Sequence, residues 1–253
     1  MTGRSVTSKV LALLQAFTPQ APELTLSELA RRAGVSIPTA HRRARELVEW
    51  GALERGADGK FHIGLRLWEV ASLAPRGLGL REAALPFLED LYEVSHENVQ
   101  LAVREGLEVV FVERIASRRA VPVLTRVGGR FALHATGVGL VLLAHAPVEV
   151  QEELLAAPLH GFSPKTITDP VRLRAVLADV RRNGYAVSDG QVTVDALSVA
   201  APILGPGGGV VAAVSLVVHA DCAEPKSLAP LVMAAGRGIT RALAGGAVPA
   251  RTL

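Results

Sequence analysis

Two short amphipathic segments joined by a glycine-containing turn constrain the fold of this chain more than any other feature. Thr25 and Glu28 have the spacing of a capping box, which predicts that a helix begins at Leu26. Gly34 is placed to end that helix as a left-handed cap, and Ser36 is placed to cap the next one. Two short helices joined by such a turn are typical of a helix-turn-helix motif.

The second of these helices, expected over residues 36–49, has two faces of different character. Small and aliphatic side chains from Ala40 to Val48 form an apolar stripe, and Arg42 points almost directly away from it. Arginine is well matched to guanine O6 and N7, and hydroxyl groups suit phosphates or bases. The outward face therefore predicts contact with double-stranded DNA. The candidate DNA-binding residues of this helix are Ser36, Pro38, Thr39, His41, Arg42, Arg43 and Arg45.

A short hairpin is predicted directly after this helix. Residues 52–55 and 60–63 have strand patterns on either side of an Asp-Gly turn. Arg55 and Lys60 flank the turn and are candidates for phosphate contacts. We therefore expect residues 1–66 to form a winged helix-turn-helix DNA-binding domain. The alternative is an ordinary small helical domain with arginines on its surface.

The distribution of charge agrees with this division of the chain. Residues 1–66 hold ten Lys and Arg against six acidic residues, whereas the remainder holds 17 basic and 18 acidic residues. The excess positive charge of the chain therefore lies in the predicted DNA-binding domain, which suggests a polyanionic partner for that part alone. A solvated basic face would give the same distribution, so charge alone does not decide.

A linker helix and a flexible joint are expected over residues 67–80. Helices placed between a reading head and a second domain commonly carry the dimer contact. Leu65, Trp68 and Leu73 are the candidates for that contact here. Trp68 is equally compatible with an ordinary core position.

Residues 81–253 are expected to form a separate mixed domain. The apolar pattern indicates two antiparallel hairpins, at 99–115 and 199–219, with helices before, between and after them. Those helices are expected at 80–95, 137–146, 170–183 and 226–244. The mixture predicts an α+β fold.

Two groups of residues in this domain are candidates for a ligand site. At the start of the predicted helix at 137, Thr136 can cap the helix while Gly137 and Val138 leave backbone N–H groups open to a carboxylate. The alternative is that small residues are present here only because the start of the helix packs tightly. The second group consists of small polar side chains amid aliphatic ones. This pattern is typical of a pocket in which a few polar groups orient a ligand. The alternative is that each side chain hydrogen-bonds to nearby backbone. It comprises Ser188, Asp189, Thr193, Ser198 and Ser215.

The sequence gives little support to catalysis or to a membrane location. The single cysteine, Cys222, excludes an internal disulfide framework and a multi-cysteine metal site. Nucleophile elbows, phosphate loops and metal-spaced histidine clusters are absent from the sequence. We therefore expect neither enzymatic activity nor a cofactor. The longest apolar run, 137–144, is far short of the roughly 20 residues of a membrane span, so we expect a cytoplasmic protein without a membrane partner.

Five short segments carry a family resemblance along nearly the whole chain. They are VSIPTAHR at 35–42, ALPFL at 84–88, LHATGVG at 133–139, RNGYA at 182–186 and VAAPI at 199–203. In this order and spacing they resemble the IclR family of transcription regulators. The resemblance implies a winged helix-turn-helix followed by a GAF-like effector domain, in homodimers that are often paired as tetramers on palindromic operators.

The same resemblance implies a type of effector and a place for it. Family effectors are typically small organic acids or aromatic compounds. The resemblance implies that the backbone of Gly137 and Val138 binds them, together with the side chains of Ser188, Ser198 and Ser215.

The chain departs from the family pattern at several of these positions. The acidic residue often present at the position of Ser188 is absent, the cysteine sometimes present at Ser198 is absent, and Val217 replaces a serine found in some members. Arg43 and Ala44 replace the usual aliphatic pair on the second helix. We therefore expect a repressor or activator whose operator binding responds to a less polar effector. The alternative is a DNA-binding regulator whose C-terminal domain only oligomerises.

Overall fold

The N-terminal unit contains the helices and the hairpin that the sequence predicts. The computed structural model describes residues 4–74, 78–221 and 224–245 and divides into two compact units, 1–78 and 79–253. The elements of the first unit are α1 (Val6–Gln15), α2 (Leu26–Ala33), α3 (Ile37–Trp50), β1 (Leu53–Arg55), β2 (Phe61–Ile63) and α4 (Leu65–Ala71).

The turn between α2 and α3 is set by local hydrogen bonds. Both halves of the capping box are formed: the Glu28 N–H donates to Thr25 Oγ1 at 3.3 Å, and the Thr25 N–H donates to the Glu28 carboxylate at 2.9 Å. Gly34 ends α2 with a φ of 64°, which glycine adopts without strain. Ser36 is the N-cap residue of α3 as predicted, but its hydroxyl donates to Thr39 Oγ1 at 2.9 Å instead of capping a backbone N–H.

The core of this unit is small and consists of leucine and alanine with one phenylalanine, Phe61. Leu13 of α1, Leu29 of α2 and Leu53 of β1 are fully buried, and they pack with Ala40 and Ala44 of α3, which are also fully buried. The predicted apolar stripe of α3 is therefore confirmed. Because its buried residues are alanines, α3 lies close to its neighbours.

The linker segment differs in part from the prediction. Helix α4 has no buried residue, and the side chains of Leu65, Trp68 and Leu73 are 63%, 63% and 79% exposed. The interpretation of Trp68 as an ordinary core residue is therefore wrong. Of the predicted joint over 76–79, residues 76 and 77 lie outside the described residues, as does Cys222. The other two joint residues, Leu78 and Gly79, begin the next helix and do not form a joint.

The second unit is an antiparallel sheet with helices on both faces. Its six strands follow the order β5-β4-β3-β8-β7-β6. Its elements are α5 (Leu78–Ser95), β3 (Asn98–Glu105), β4 (Glu108–Ile115), β5 (Arg130–Ala132), α6 (Gly137–Ala144), α7 (Val148–Ala156), α8 (Pro170–Asn183), β6 (Ala186–Asp189), β7 (Ala196–Leu204), β8 (Val210–His219) and α9 (Pro225–Ala244).

The α+β prediction is confirmed, and both predicted hairpins are present as β3-β4 and β7-β8. The expected helix over 137–146 ends at Ala144. The edge strands β5 and β6, the helix α7 and a short 3-10 helix at Leu133–Ala135 were not predicted. The edge strands have only three and four residues, which is too short for a clear alternation of apolar and polar side chains.

The two faces of the sheet differ in the size of their side chains. Val199 and Leu216 pack towards α5 and α9, whereas Ala200 and Ala213 pack towards α6. Alanine on this second face allows α6, which is buried along its whole length, to lie close against the sheet. None of the helices described is long and apolar enough to span a bilayer.

Candidate DNA-binding surface and ligand pocket

The outward side of α3 carries the predicted DNA contacts. His41, Arg42 and Arg45 are exposed, as are Ser36 and Pro38 in the first turn, while Thr39 is half-buried. Within the described ranges, the guanidinium groups of Arg42 and Arg45 have neither a hydrogen bond nor an ion pair. Both cations are therefore available to a partner.

Arg43 lies differently from its two neighbours. Its side chain is 15% exposed, and Nη1 lies 2.7 and 2.8 Å from the two carboxylate oxygens of Glu46. The hydrogen bond from Arg43 holds the pKa of the Glu46 carboxyl below its usual value, so the pair stays ionised at neutral pH. Arg43 is thus committed to a contact within α3.

The two cations of the predicted wing, the β1-β2 hairpin, make their contacts within that hairpin. Arg55 Nε donates to the carbonyl of Gly59 at 3.1 Å, and the guanidinium lies 5.5 Å from the ring centroid of Phe61. Lys60 Nζ lies 3.0 Å from the Asp58 carboxylate, and this contact raises the pKa of Lys60. Both side chains remain charged at the end of a short hairpin.

A pocket opens in the second unit between the sheet, the start of α6 and the loop between β4 and β5. Its empty space, which includes the open solvent at its mouth, amounts to roughly 450 Å³. The lining contains no charged side chain among the residues described. Of the predicted ligand-site residues, it brings together Thr136, Gly137, Val138, Ser188, Thr193 and Ser198.

The start of α6 forms one side of this pocket. Thr136 is the N-cap, and its Oγ1 accepts a hydrogen bond from the Gly139 N–H at 3.1 Å. Gly137 and Val138 are the first two helical residues, so their N–H groups have no acceptor within the helix. A Cβ built on Gly137 would lie 2.7 Å from Ser198 Oγ, so glycine is what allows the helix to approach β7 this closely.

The predicted hydroxyl groups occupy two different rows of the sheet. Ser188 and Ser198 lie opposite each other on β6 and β7 and both line the pocket. Ser188 Oγ donates to the carbonyl of Ala135 at 3.2 Å, whereas Ser198 Oγ has no hydrogen bond within the described part of the chain. Ser215 is fully buried one row further along β8, and its Oγ has no partner there. Asp189 is exposed and pairs with Lys165 outside the pocket lining.

The pocket also contains a polar residue that sequence reasoning missed. Gln100 on β3 is only 3% exposed and lines the pocket. Its Nε2 donates to Thr125 Oγ1 at 2.6 Å, which connects the strand to the loop 116–129. The sequence does contain an indication of this, since Asn98 and Gln100 are polar residues two positions apart at the start of a strand that continues with the apolar residues 101–103.

Comparison with known proteins decides the family. A model of the IclR helix-turn-helix domain matches residues 6–57, and a model of the bacterial transcriptional regulator IclR C-terminal domain matches residues 74–241. The chain belongs to the IclR family. As an IclR-family member it is a DNA-binding transcription regulator and not an enzyme, which confirms both predictions.

Individual relatives agree with the family models. KipR of Bacillus subtilis, an HTH-type transcriptional regulator, is 33% identical to this IclR-family chain over 209 residues, which cover 82% of this chain and 83% of KipR. BhcR of Paracoccus denitrificans is 33% identical over 195 residues, covering 76% of this chain and 70% of BhcR. The crystal structure of an IclR homologue from Microbacterium hydrocarbonoxydans, complexed with 4-hydroxybenzoate, is 41% identical with a TM-score of 0.92. The match covers 95% of this chain and 100% of that chain.

Proposed function

We propose that this IclR-family regulator binds a palindromic operator as a homodimer or tetramer in the cytoplasm, and that a small aromatic carboxylate in the pocket controls this binding. The observation that carries the proposal is the start of α6, where two residues whose backbone N–H groups have no helical acceptor line a pocket that has no charged side chain among the residues described. The dimer would use the exposed apolar side chains of α4, which are Leu65, Trp68 and Val70, together with Leu73 just after the helix.

The DNA-binding part of the proposal is based on the outward side of α3. Arg42 and Arg45 lie three residues apart and so share one face of the helix, free of other partners in the described chain. Such a face fits the major groove, where arginine recognises guanine. Arg43 is paired with Glu46 within α3 and is therefore left out of this reading face. Arg55 and Lys60 of the hairpin would contact phosphates.

The effector part of the proposal follows from the chemistry of the pocket. The N-terminal end of a helix favours an anion, and the N–H groups of Gly137 and Val138 together with Ser198 Oγ are donors for a carboxylate. Val123 and Val217 provide apolar walls for the rest of the ligand. The homologue from Microbacterium hydrocarbonoxydans, complexed with 4-hydroxybenzoate, supports this ligand class.

The DNA-binding surface is tested with Arg42→Ala on an operator selected from a random pool. We expect the variant to bind more weakly by about 1–3 kcal/mol, measured by fluorescence anisotropy at two salt concentrations. Arg172→Ala is the matched control, because Arg172 is an exposed arginine of the second unit and its loss changes the net charge equally. Wild-type affinity of the Arg42→Ala variant would show that another face of the head reads DNA.

The effector site is tested by titrating benzoate and related acids into the full-length protein, first by calorimetry and then on the operator complex. We expect saturable binding that changes operator affinity, and we expect Ser198→Ala to weaken the binding of every acid that carries the carboxylate. Intact operator binding without any bound acid would reject the proposed effector class and favour a C-terminal domain that only oligomerises.

A further inference from the structure

We propose that Gln100 determines which aromatic acids the pocket accepts, by hydrogen-bonding a second polar group on the ligand across the sheet from the start of α6. This inference rests on the proposed function, since it assumes that the carboxylate lies at Gly137, Val138 and Ser198.

The side chain of Gln100 is buried but only half satisfied. Its Nε2 donates to Thr125 Oγ1 at 2.6 Å, whereas its Oε1 has no partner within the described residues. That oxygen is not sealed in the protein interior but remains accessible from the pocket that Gln100 lines. Because this oxygen can be reached from the pocket, water can solvate it in the free protein. A ligand that fills the pocket without a donor would remove that hydrogen bond, whereas a ligand with a donor would replace it.

The orientation of the Gln100 amide is maintained by a chain of hydrogen bonds to the loop 116–129. Arg114 Nη1 donates to the carbonyl of Thr125 at 3.4 Å, and Arg114 Nη2 donates to Asn98 Oδ1 at 2.7 Å. Asn98, which is fully buried, donates through Nδ2 to the carbonyl of Val121 at 2.9 Å. The loop is thus attached to β3 at two points, so the amide is oriented before a ligand enters and loses little freedom on binding.

The register of the sheet places the two polar parts of the pocket on opposite sides of β8. Ala200 on β7 pairs with Ser215 on β8, which pairs with Gln100 on β3, so the start of α6 over β7 and Gln100 are two strands apart. Two strand spacings amount to about 9–10 Å. Val217 on β8 provides an apolar surface in between.

A single aromatic ring with polar substituents on opposite sides matches this arrangement. Its carboxylate would accept from the N–H groups at the start of α6, and its second substituent would donate to Gln100 Oε1. A phenolic hydroxyl para to the carboxylate is such a donor. The geometry therefore points to para-hydroxylated aromatic acids as the preferred class, with the unsubstituted acid as a weaker ligand.

The experiment compares benzoate with 4-hydroxybenzoate on the full-length protein by titration calorimetry, because the two acids differ only in the para hydroxyl. We expect the wild type to prefer 4-hydroxybenzoate by about five- to tenfold, the effect of one hydrogen bond. In Gln100→Leu we expect this preference to disappear while benzoate affinity is retained. Ser198→Ala is the matched control, since it should weaken both acids and leave their ratio unchanged.

The outcomes separate this inference from the proposed function. If the wild type binds neither acid, the proposed effector class is wrong and this inference falls with it. If it binds both acids equally, or if the preference survives Gln100→Leu, the carboxylate site stands and the role of Gln100 is refuted. Should Gln100→Leu fail to fold, Thr125→Val removes the partner that orients the amide. A reduced preference then supports the inference, and an unchanged one overturns it.

Discussion

The close approach of α6 to β7 makes Gly137→Ala an informative perturbation. The added Cβ would lie 2.7 Å from Ser198 Oγ, 3.3 Å from Ser198 Cβ and 3.4 Å from Ala200 Cβ. The first of these distances is shorter than real side chains tolerate, and both neighbours are short side chains on a central strand. Overpacking of this kind costs about 1–3 kcal/mol, and the helix propensity of alanine offsets at most about 1 kcal/mol of it. We therefore expect a net loss of about 1–2 kcal/mol in the free energy of unfolding of the second unit.

A second substitution tests the cause of that loss. Ser198→Ala removes the Oγ atom and leaves the nearest atom 3.3 Å from the new Cβ, a distance that a shift of a few tenths of an ångström relieves. The double variant Gly137→Ala/Ser198→Ala should therefore be more stable than the sum of the single effects predicts, with a coupling of about 1 kcal/mol. Additive effects would contradict the close approach described for α6.

The assay is urea unfolding of the full-length protein followed by two probes. Both tryptophans, Trp50 and Trp68, lie in the first unit, so their fluorescence reports the unfolding of that unit. Circular dichroism reports the unfolding of the whole chain. Gly137→Ala should change the dichroism transition alone. Gly207→Ala is the matched control, because a Cβ at Gly207 meets no atom within 4 Å, and it should unfold as the wild type does.

Two further predictions concern stability. Thr25→Ala removes the N-cap of α2 and should lower the free energy of unfolding of the first unit by about 1 kcal/mol, measured by fluorescence-detected urea titration. Thr25→Ser keeps a capping hydroxyl and should retain most of the wild-type stability. Equal losses in both variants would contradict the capping role. His134 is buried, and burial lowers its pKa, so the folded chain resists the proton that the unfolded chain binds below about pH 6.5. Stability should therefore fall as the pH decreases through 6.5, and less so in His134→Gln. Identical pH profiles of the two proteins would count against this.

The parts of the structure that were predictable from the sequence are those set by interactions between residues close together in the chain. Thr25, Glu28 and Gly34 act within a few residues of one another, so the helix-turn-helix was predictable from spacing alone. The start of α6 was predictable for the same reason, because Thr136 caps its own helix.

The rest of the pocket depends on contacts between distant parts of the chain. Gln100 meets Thr125 across 25 positions, and only the register of β3 on β8 shows how far it lies from the start of α6. The register of β8 also decides which of its residues reach the pocket. Val217 lines the pocket, whereas Ser215, two positions earlier, is fully buried. The edge strands β5 and β6 were missed because three or four residues carry too little periodicity.

The way in which α3 is anchored has a consequence for how such a regulator can diverge. Ala40 and Ala44 hold the helix to the core, whereas Arg42 and Arg45, which we propose contact DNA, contribute nothing to that core. Exchanging Arg42 or Arg45 would therefore alter the preferred binding sequence with little effect on folding. A gene duplicate could acquire new targets through surface mutations alone, while the scaffold beneath them stayed the same.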